Sequence, residues 1–417
     1  MKKFFCFKFL VSILFLAAVH ENSLVAKSIF VAPSFSSEKI NKVLKTTSAG
    51  DTIIFSTGHY YVNNLMILKP LVLRGEHFPE LDGSDKFQIM SIGSNDVHVD
   101  GFKFSNSGRS DMNEISAIRI MNARNVYVCN NTFENIFFGV YCANTSHCFI
   151  TNNKIKSISV NELESGNGIH CWKSDSMHIS KKYITGQRDG IYFEFVTNSF
   201  IENNISERNL RYGLHFMFSH SNSYSGNTFS NNGAGVAVMF SHKVTMLGNT
   251  FSENKGAGSY GILMKEISDS RVERNHFIAN TVGIYMEGTS RIHVEKNNFE
   301  SNGWAFRIQA SCADITIEKN NFTANTFDVA TNGTLVLNKF SNNYWDKYDG
   351  YDLNKDGIGD VPYRPVSLYS MVAEEMPYSI MLYRSFMVML LERTEKAIPG
   401  ITPVDLKDDT PLMKTAR

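Results

Sequence analysis

Residues 213–229, with Gly213-Leu214-His215-Phe216 followed by Asn227-Thr228-Phe229, decide the fold because the pair recurs. It returns as Gly235-Val236-Ala237-Val238 with Asn249-Thr250-Phe251, and as Gly261-Ile262-Leu263-Met264 with Asn275-His276-Phe277. A further copy is Gly283-Ile284-Tyr285-Met286 with Asn297-Asn298-Phe299, and in all of them the glycine lies 14 residues before the asparagine. Short alternating runs separated by polar turns at a fixed period describe stacked coils whose strands pair with the coil above and below. One coil cannot bury its apolar edge alone, whereas stacking about 4.8 Å apart builds a continuous core.

The asparagine motif extends outward from this stretch, from Val97 to Phe340: Val128…Asn131-Thr132-Phe133, Ile150…Asn153-Lys154-Ile155, Phe200…Asn203-Asn204-Ile205, Ile317…Asn320-Asn321-Phe322 and Leu335…Asn338-Lys339-Phe340. Successive asparagines from 203 to 320 differ by 24, 22, 26, 22 and 23. One copy is degenerate, with Lys182 in the asparagine's place before Ile184. Asn at each turn tolerates left-handed backbone and can bond to its copies above and below, while the phenylalanine fills the interior. The pattern predicts an all-β chain, a right-handed single-stranded parallel β-helix over residues 27–345. Ser37 to Lys45 places Ile40, Val43 and Leu44 on one helical face after a serine N-cap, which predicts a short N-terminal cap helix over the open edge. Asp51 to Phe55, Leu65 to Leu68 and Leu71 to Leu73 are the expected first rungs.

Met1-Lys2-Lys3 and the apolar run up to Ala18 read as a secretory signal with Leu24-Val25-Ala26 as its cleavage site, so residues 1–26 are the expected signal peptide. The alternative, a membrane anchor, suffers from Lys8 inside a run already short for a span. Lys plus Arg and Asp plus Glu number 41 each, and no basic run offers a phosphate-tracking surface, so a nucleic-acid partner is not expected. Cys129, Cys142, Cys148, Cys171 and Cys312 follow the signal, an odd set that implies at least one free thiol and reads as buried small hydrophobes.

Counting from each glycine, positions two and four face outward. That set includes His215, Met217 and Met239, and three residues beyond each methionine come His220 and His242. Thioether and imidazole repeated on adjacent coils suit Cu(I) better than Ca²⁺ or Mg²⁺, so His215, Met217, His220, Met239 and His242 form a candidate copper site. Against it stands a reading of the methionines as gap fillers and the histidines as solvated. Residues 346–363 carry Asp352-Leu353-Asn354-Lys355-Asp356-Gly357-Ile358-Gly359-Asp360, whose oxygens at Asp352, Asn354, Asp356 and Asp360 resemble the first part of an EF-hand loop. Tyr363 replaces the closing glutamate, so a structural calcium loop stands beside a metal-free acidic turn. The tail, residues 364–417, contains an apolar stretch from Met376 to Leu391 interrupted by Arg384. It is too short and interrupted for an ordinary span. It reads as a helix docked on a protein or a membrane surface through Tyr378, Met381, Leu382, Phe386, Met389 and Leu390, or packed back on the β-helix.

Arg211-Tyr212-Gly213-Leu214-His215-Phe216-Met217-Phe218-Ser219, Tyr260-Gly261-Ile262-Leu263-Met264-Lys265-Glu266, Asn343-Tyr344-Trp345-Asp346 with Val361-Pro362-Tyr363-Arg364-Pro365, and Ile401-Thr402-Pro403 together resemble the NosD family, within the carbohydrate-binding and sugar-hydrolase class of β-helices. The resemblance implies a periplasmic protein with no catalysis of its own, attached to an ABC transporter of membrane subunit and ATPase, and peripheral to the membrane through its tail. It also implies transient copper received from a copper chaperone lipoprotein, in the service of copper–sulfide cluster assembly in nitrous oxide reductase. A polysaccharide lyase, hydrolase or epimerase on the same fold is the competing reading. Cleavage of a glycosidic bond needs paired carboxylates, yet Glu194, Glu266 and Glu287 fall on different coils and Asp189 stands beside Arg188. The Asn-Thr-Asp and Gly-His-Gly signatures of polygalacturonases and the Asp-Pro-His-Asp of alginate epimerases are absent. A glycan-binding adhesin is allowed by Trp172, Tyr192 and Trp304 but leaves the tail unexplained.

Overall fold

The computed structural model describes residues 26–110, 113–158, 161–335, 337–398 and 406–416. Residues 1–25 of the expected signal lie outside them. The described residues form three parallel sheets of 14, 12 and 13 strands, the parallel β-helix the repeat predicts, with about 14 turns and three short α-helices. We term the 14-, 13- and 12-stranded sheets A, B and C; the glycine motif lies on C and the phenylalanine after the asparagine on B. Leu214, Phe216, Phe229 and Met246 have no solvent exposure, as alternate inward positions of stacked strands require. Phe229, Phe251, Phe277, Phe299, Phe322 and Trp345 stack face to face in one column with centroids 4.0–5.6 Å apart.

The cap helix α1, Ser37–Thr46, starts at Ser36, whose hydroxyl accepts from the Lys39 N–H, and buries Ile40 and Leu44. Asn41 Oδ1 accepts the Met66 N–H at 2.9 Å, and Ser37 bonds both ways with Asn63, so the helix covers the first edge of sheet C. A strand that sequence reasoning did not foresee, Ser28–Val31, starts sheet A against Thr52–Phe55.

Three expectations about the repeat are corrected. The asparagines that ladder between coils do not themselves take left-handed backbone; the residue before each does, including Asn130 (φ 55°), Asn152 (φ 52°), Asn203 (φ 54°) and Gly226 (φ 62°). The ladder residue of one coil is Asn204 rather than Asn203: Ser206 pairs with Phe229 inside, and Ile205 is exposed. The last copy is Phe340…Asn343-Tyr344-Trp345, because Phe340 pairs with Ile317 on sheet A, which makes Asn338 part of the preceding turn. A second ladder, running Asn209, Asn232, Asn254, Asn280, Asn302 and Asn325, went unread.

The tail is heterogeneous. Residues 406–416 return to the final coil, where Asp408 Oδ2 accepts from the Asn343 N–H, Asn343 Nδ2 and Trp345 Nε1 and ends the first ladder. The stretch Met376 to Leu391 is not one helix. It is split between a 3₁₀ turn (Pro377–Leu382) and the first half of α3 (Phe386–Ala397), and α2 (Leu368–Glu375) ends just before it. The break follows from Pro377, which has no N–H to donate, and from Ser385, which caps α3 by accepting the Val388 N–H. All five described cysteines are free; Cys142 and Cys171 face each other inside adjacent coils.

Candidate functional site

The outward column two residues beyond the sheet C glycines is Tyr141, His170, Tyr192 and His215 on successive coils, and Arg119, two residues beyond Ala117, precedes Tyr141 in register. Two residues further along each strand the next outward column contains Met217 directly opposite Met239. The chain then turns through Phe218 (φ 49°) and Phe240 (φ 50°), whose half-exposed rings stack at 5.0 Å. Beyond the turn the rings of His220 and His242 stack at 3.8 Å. The His242 N–H donates to His220 Nδ1 at 3.3 Å, and burial together with the neighbouring His242 pulls the His220 ring below its ordinary value. A neutral imidazole with a long, weak bond at Nδ1 is a usable metal ligand, since an ion can take that lone pair in the amide's place.

His215 is brought elsewhere. It is 2% exposed, packs against Tyr192 and Tyr212 with centroids 4.8 Å away, and lies 3.7 Å from Asp189 Oδ2. Neither ring nitrogen has a hydrogen-bond partner among the described residues. The fold thus pairs methionine with methionine and histidine with histidine, and sets His215 with Asp189.

Around Asp189 sequence reasoning missed a buried polar cluster. Asp189 itself is 1% exposed, with Arg211 Nε at 3.6 Å. Burial foremost, then the Arg188 charge, pull His170 down to about 3. Arg119 Nε, Asn167 Oδ1, Arg188 Nε and Asp189 Oδ1 are buried without a hydrogen-bond partner among the described residues. The signal that could have found the cluster is the outward alternation of His, Tyr and Arg on adjacent coils.

In the 352–360 loop, oxygens bond mainly to backbone. Asp352 Oδ2 accepts from Gly357 N at 2.9 Å, Asp356 Oδ1 from Ile358 N at 2.8 Å and Asp360 Oδ2 from Leu353 N at 2.7 Å, while Asn354 Nδ2 donates to Asp356 at 2.9 Å. Gly359 N–H donates to the Pro411 carbonyl, tying the loop to the returning segment. Tyr363, in the place of the missing glutamate, donates to buried Asp328 at 2.8 Å. Among the described residues the acid-and-histidine group with ligand atoms within 4.8 Å of one another is His59, Glu80 and Asp82, far from this loop in sequence.

Tyr378, Met381, Leu382, Phe386, Met389 and Leu390 are exposed, Tyr378 by 90% and Met381 by 86%. The tail also packs back: Tyr369 and Ala373 of α2 and Val388 of α3 bury against Val282, Trp304, Phe327 and Ala330, and Arg307 pairs with Glu374 of α2. Trp304 is therefore under the tail rather than open to a glycan. No helix among the described residues is long and apolar enough to cross a membrane.

The family model described as "Periplasmic copper-binding protein (NosD)" matches residues 155–350. A protein of Pseudomonas aeruginosa named "Probable ABC transporter binding protein NosD" is 29% identical over 133 residues, 31% of this chain and 31% of that one. Its namesake from Stutzerimonas stutzeri is 35% identical over 72 residues, 17% of this chain and 16% of that one. The chain thus spans about a third or less of the curated relatives it matches. Among solved structures, the Streptococcus pneumoniae surface adhesin PfbA aligns with TM-score 0.54 at 13% identity, over 76% of this chain and 90% of that one. A catalytic domain of GH87 α-1,3-glucanase aligns with TM-score 0.60 at 12% identity, over 77% and 69%. At such identities these last two show the fold alone.

Proposed function

We propose that this chain is a periplasmic accessory protein that handles copper for maturation of nitrous oxide reductase, working with an ABC transporter and without catalysis of its own. The observation that carries the reading is the registered pairing of Met217 with Met239 and of His220 with His242, inside the stretch that matches a copper-binding family. Copper is cargo here. Soft thioethers with neutral imidazoles, and no thiolate, hold Cu(I) loosely enough to pass it on. The exposed side of the 3₁₀ turn and α3 docks on the transporter's membrane subunit, which hides a patch that would otherwise promote aggregation. The metal arrives from a chaperone lipoprotein and leaves for the reductase; the 352–360 loop, with or without calcium, anchors the returning segment.

Deleting the gene tests the reading as a whole. The expected result is an exported reductase that lacks its copper–sulfide cluster and keeps its other copper centre, measured as copper per protein and N₂O reduction; undiminished N₂O consumption sinks the proposal. The copper site is tested separately by titrating the mature protein with Cu(I) against a competing chelator. Met217→Leu with Met239→Leu, which keeps volume and apolarity, is expected to weaken binding by tenfold or more, about 1.4 kcal/mol. Equal binding by parent and variant assigns these rungs to structure.

A further inference from the structure

On the far side of the molecule, an open groove of about 740 Å³ follows the corner between sheets A and B across the coils that hold Asn130, Asn152, Lys181 and Asn203. Lys154, Lys156, Lys181 and Lys182 line it, with Phe78 and Ile205 among the other lining residues. The first three lysines are exposed and none of the four is paired with a described carboxylate; Lys156 Nζ instead stands 5.9 Å from the Tyr183 ring centroid. Lys182 differs from the others. It occupies the ladder position held by asparagine in the coils on either side, is 3% exposed, and its ammonium is buried with no hydrogen-bond partner. Asn131 and Asn153 are linked through Asn153 Oδ1, and Lys182 N–H reaches Asn204 Oδ1 at 3.0 Å, but no side-chain oxygen bridges Asn153 to the lysine. Burial pushes this amine well below the ordinary lysine range. A buried amine without a hydrogen-bond partner is costly, and a repeat that breaks its own rule at the floor of a groove marks a position kept for something other than stability.

We infer that this groove binds an extended acidic peptide segment of a partner protein, its carboxylates meeting the exposed Lys154, Lys156 and Lys181 above the buried Lys182. Lys154 and Lys156 are alternate residues of one strand, so their side chains leave the surface about 6.6 Å apart, the repeat of one face of an extended peptide. Lys181 adds a cation on the next coil, two residues before the register partner of Lys154 and so offset from it along the chain direction as well as by one coil. Exposed apolar Phe78 and Ile205 fit apolar side chains flanking the acidic run. The placement is independent of the copper rungs on sheet C.

The mature full-length protein is titrated with a synthetic peptide carrying glutamates at alternate positions between two leucines, with its glutamine analogue, and with a sulfated oligosaccharide. The glutamate peptide is expected to bind at least tenfold tighter than either, with affinity falling as salt rises. Lys154→Gln, Lys156→Gln and Lys181→Gln combined should weaken it tenfold or more at an unchanged melting temperature. Lys182→Asn, which restores the ladder, should raise the melting temperature and yet weaken the peptide. Parental affinity in both variants overturns the inference, as does an oligosaccharide that binds as tightly as the peptide, or a peptide that does not bind.

Discussion

Asn275→Ala is expected to lower the stability of the β-helix by about 3–5 kcal/mol, although it removes no apolar group. Asn275 is fully buried, and its Oδ1 accepts from both the backbone N–H and the Nδ2 of Asn249, at 2.8 and 3.0 Å. Its own Nδ2 reaches the Met246 carbonyl at 2.8 Å, the Glu273 carbonyl at 3.0 Å and Asn297 Oδ1 at 3.0 Å. Alanine strands the Asn249 N–H in a dry interior and thins the satisfaction of two carbonyls. Each orphaned buried group costs about 1–3 kcal/mol, and the void left by the carboxamide adds to it. Asn275→Asp should be no better, because a carboxylate placed there aims an oxygen at three acceptors. The fold uses aspartate where that objection vanishes: Asp408 ends the ladder and accepts from donors of Asn343, Trp345 and Thr410. Urea unfolding of parent and variants checks the effect, and an alanine variant within 1 kcal/mol of the parent would show that water replaces the carboxamide.

The same ladder shows how far the sequence could be read. The 14-residue spacing from glycine to asparagine made the coil, its sheets and its inward phenylalanines legible, because stacking imposes one period on every coil. It also contained the answer that the tandem Asn203-Asn204 obscured: Gly190 plus 14 is residue 204. Either asparagine satisfies a local pattern, and Ile205 reads as core until the pairing of Ser206 with Phe229 puts it outside. A one-residue slip exchanges the two faces of a strand, so only register with the neighbouring coil decides. The return of residues 406–416 to the last coil was not legible, since a few bridges closed across more than 60 residues leave no periodicity. At the candidate site the methionine and histidine pairs followed from the repeat. The separation of His215 from them did not, because burial by Tyr192 and Tyr212 depends on side-chain direction rather than on spacing.

The buried cluster beside His215 makes the fold sensitive to acid in a way that one residue should report. Burial and the Arg188 charge hold His170 at about 3 in the folded chain, against 6.5 for a free histidine. A folded value below the unfolded one means that the unfolded chain binds a proton which the folded coil refuses. The neutral ring is therefore no burden above pH 6.5; stability declines as pH falls below that value and levels off near pH 3. At about 1.4 kcal/mol per pH unit, the span corresponds to roughly 3–5 kcal/mol. His170→Gln removes the titration and keeps a polar group within reach of Asn167 Nδ2, which lies 3.2 Å from His170 Nδ1. Other groups titrate over the same range, so the quantity to measure is the difference between parent and variant in urea unfolding at pH 7 and at pH 4. The parent should be the more stable at pH 7, since the ring packs against Tyr141 and Tyr192, and should lose most or all of that advantage by pH 4. A difference that stays constant between the two pH values would mean that His170 titrates alike in both states and is not held neutral by its surroundings.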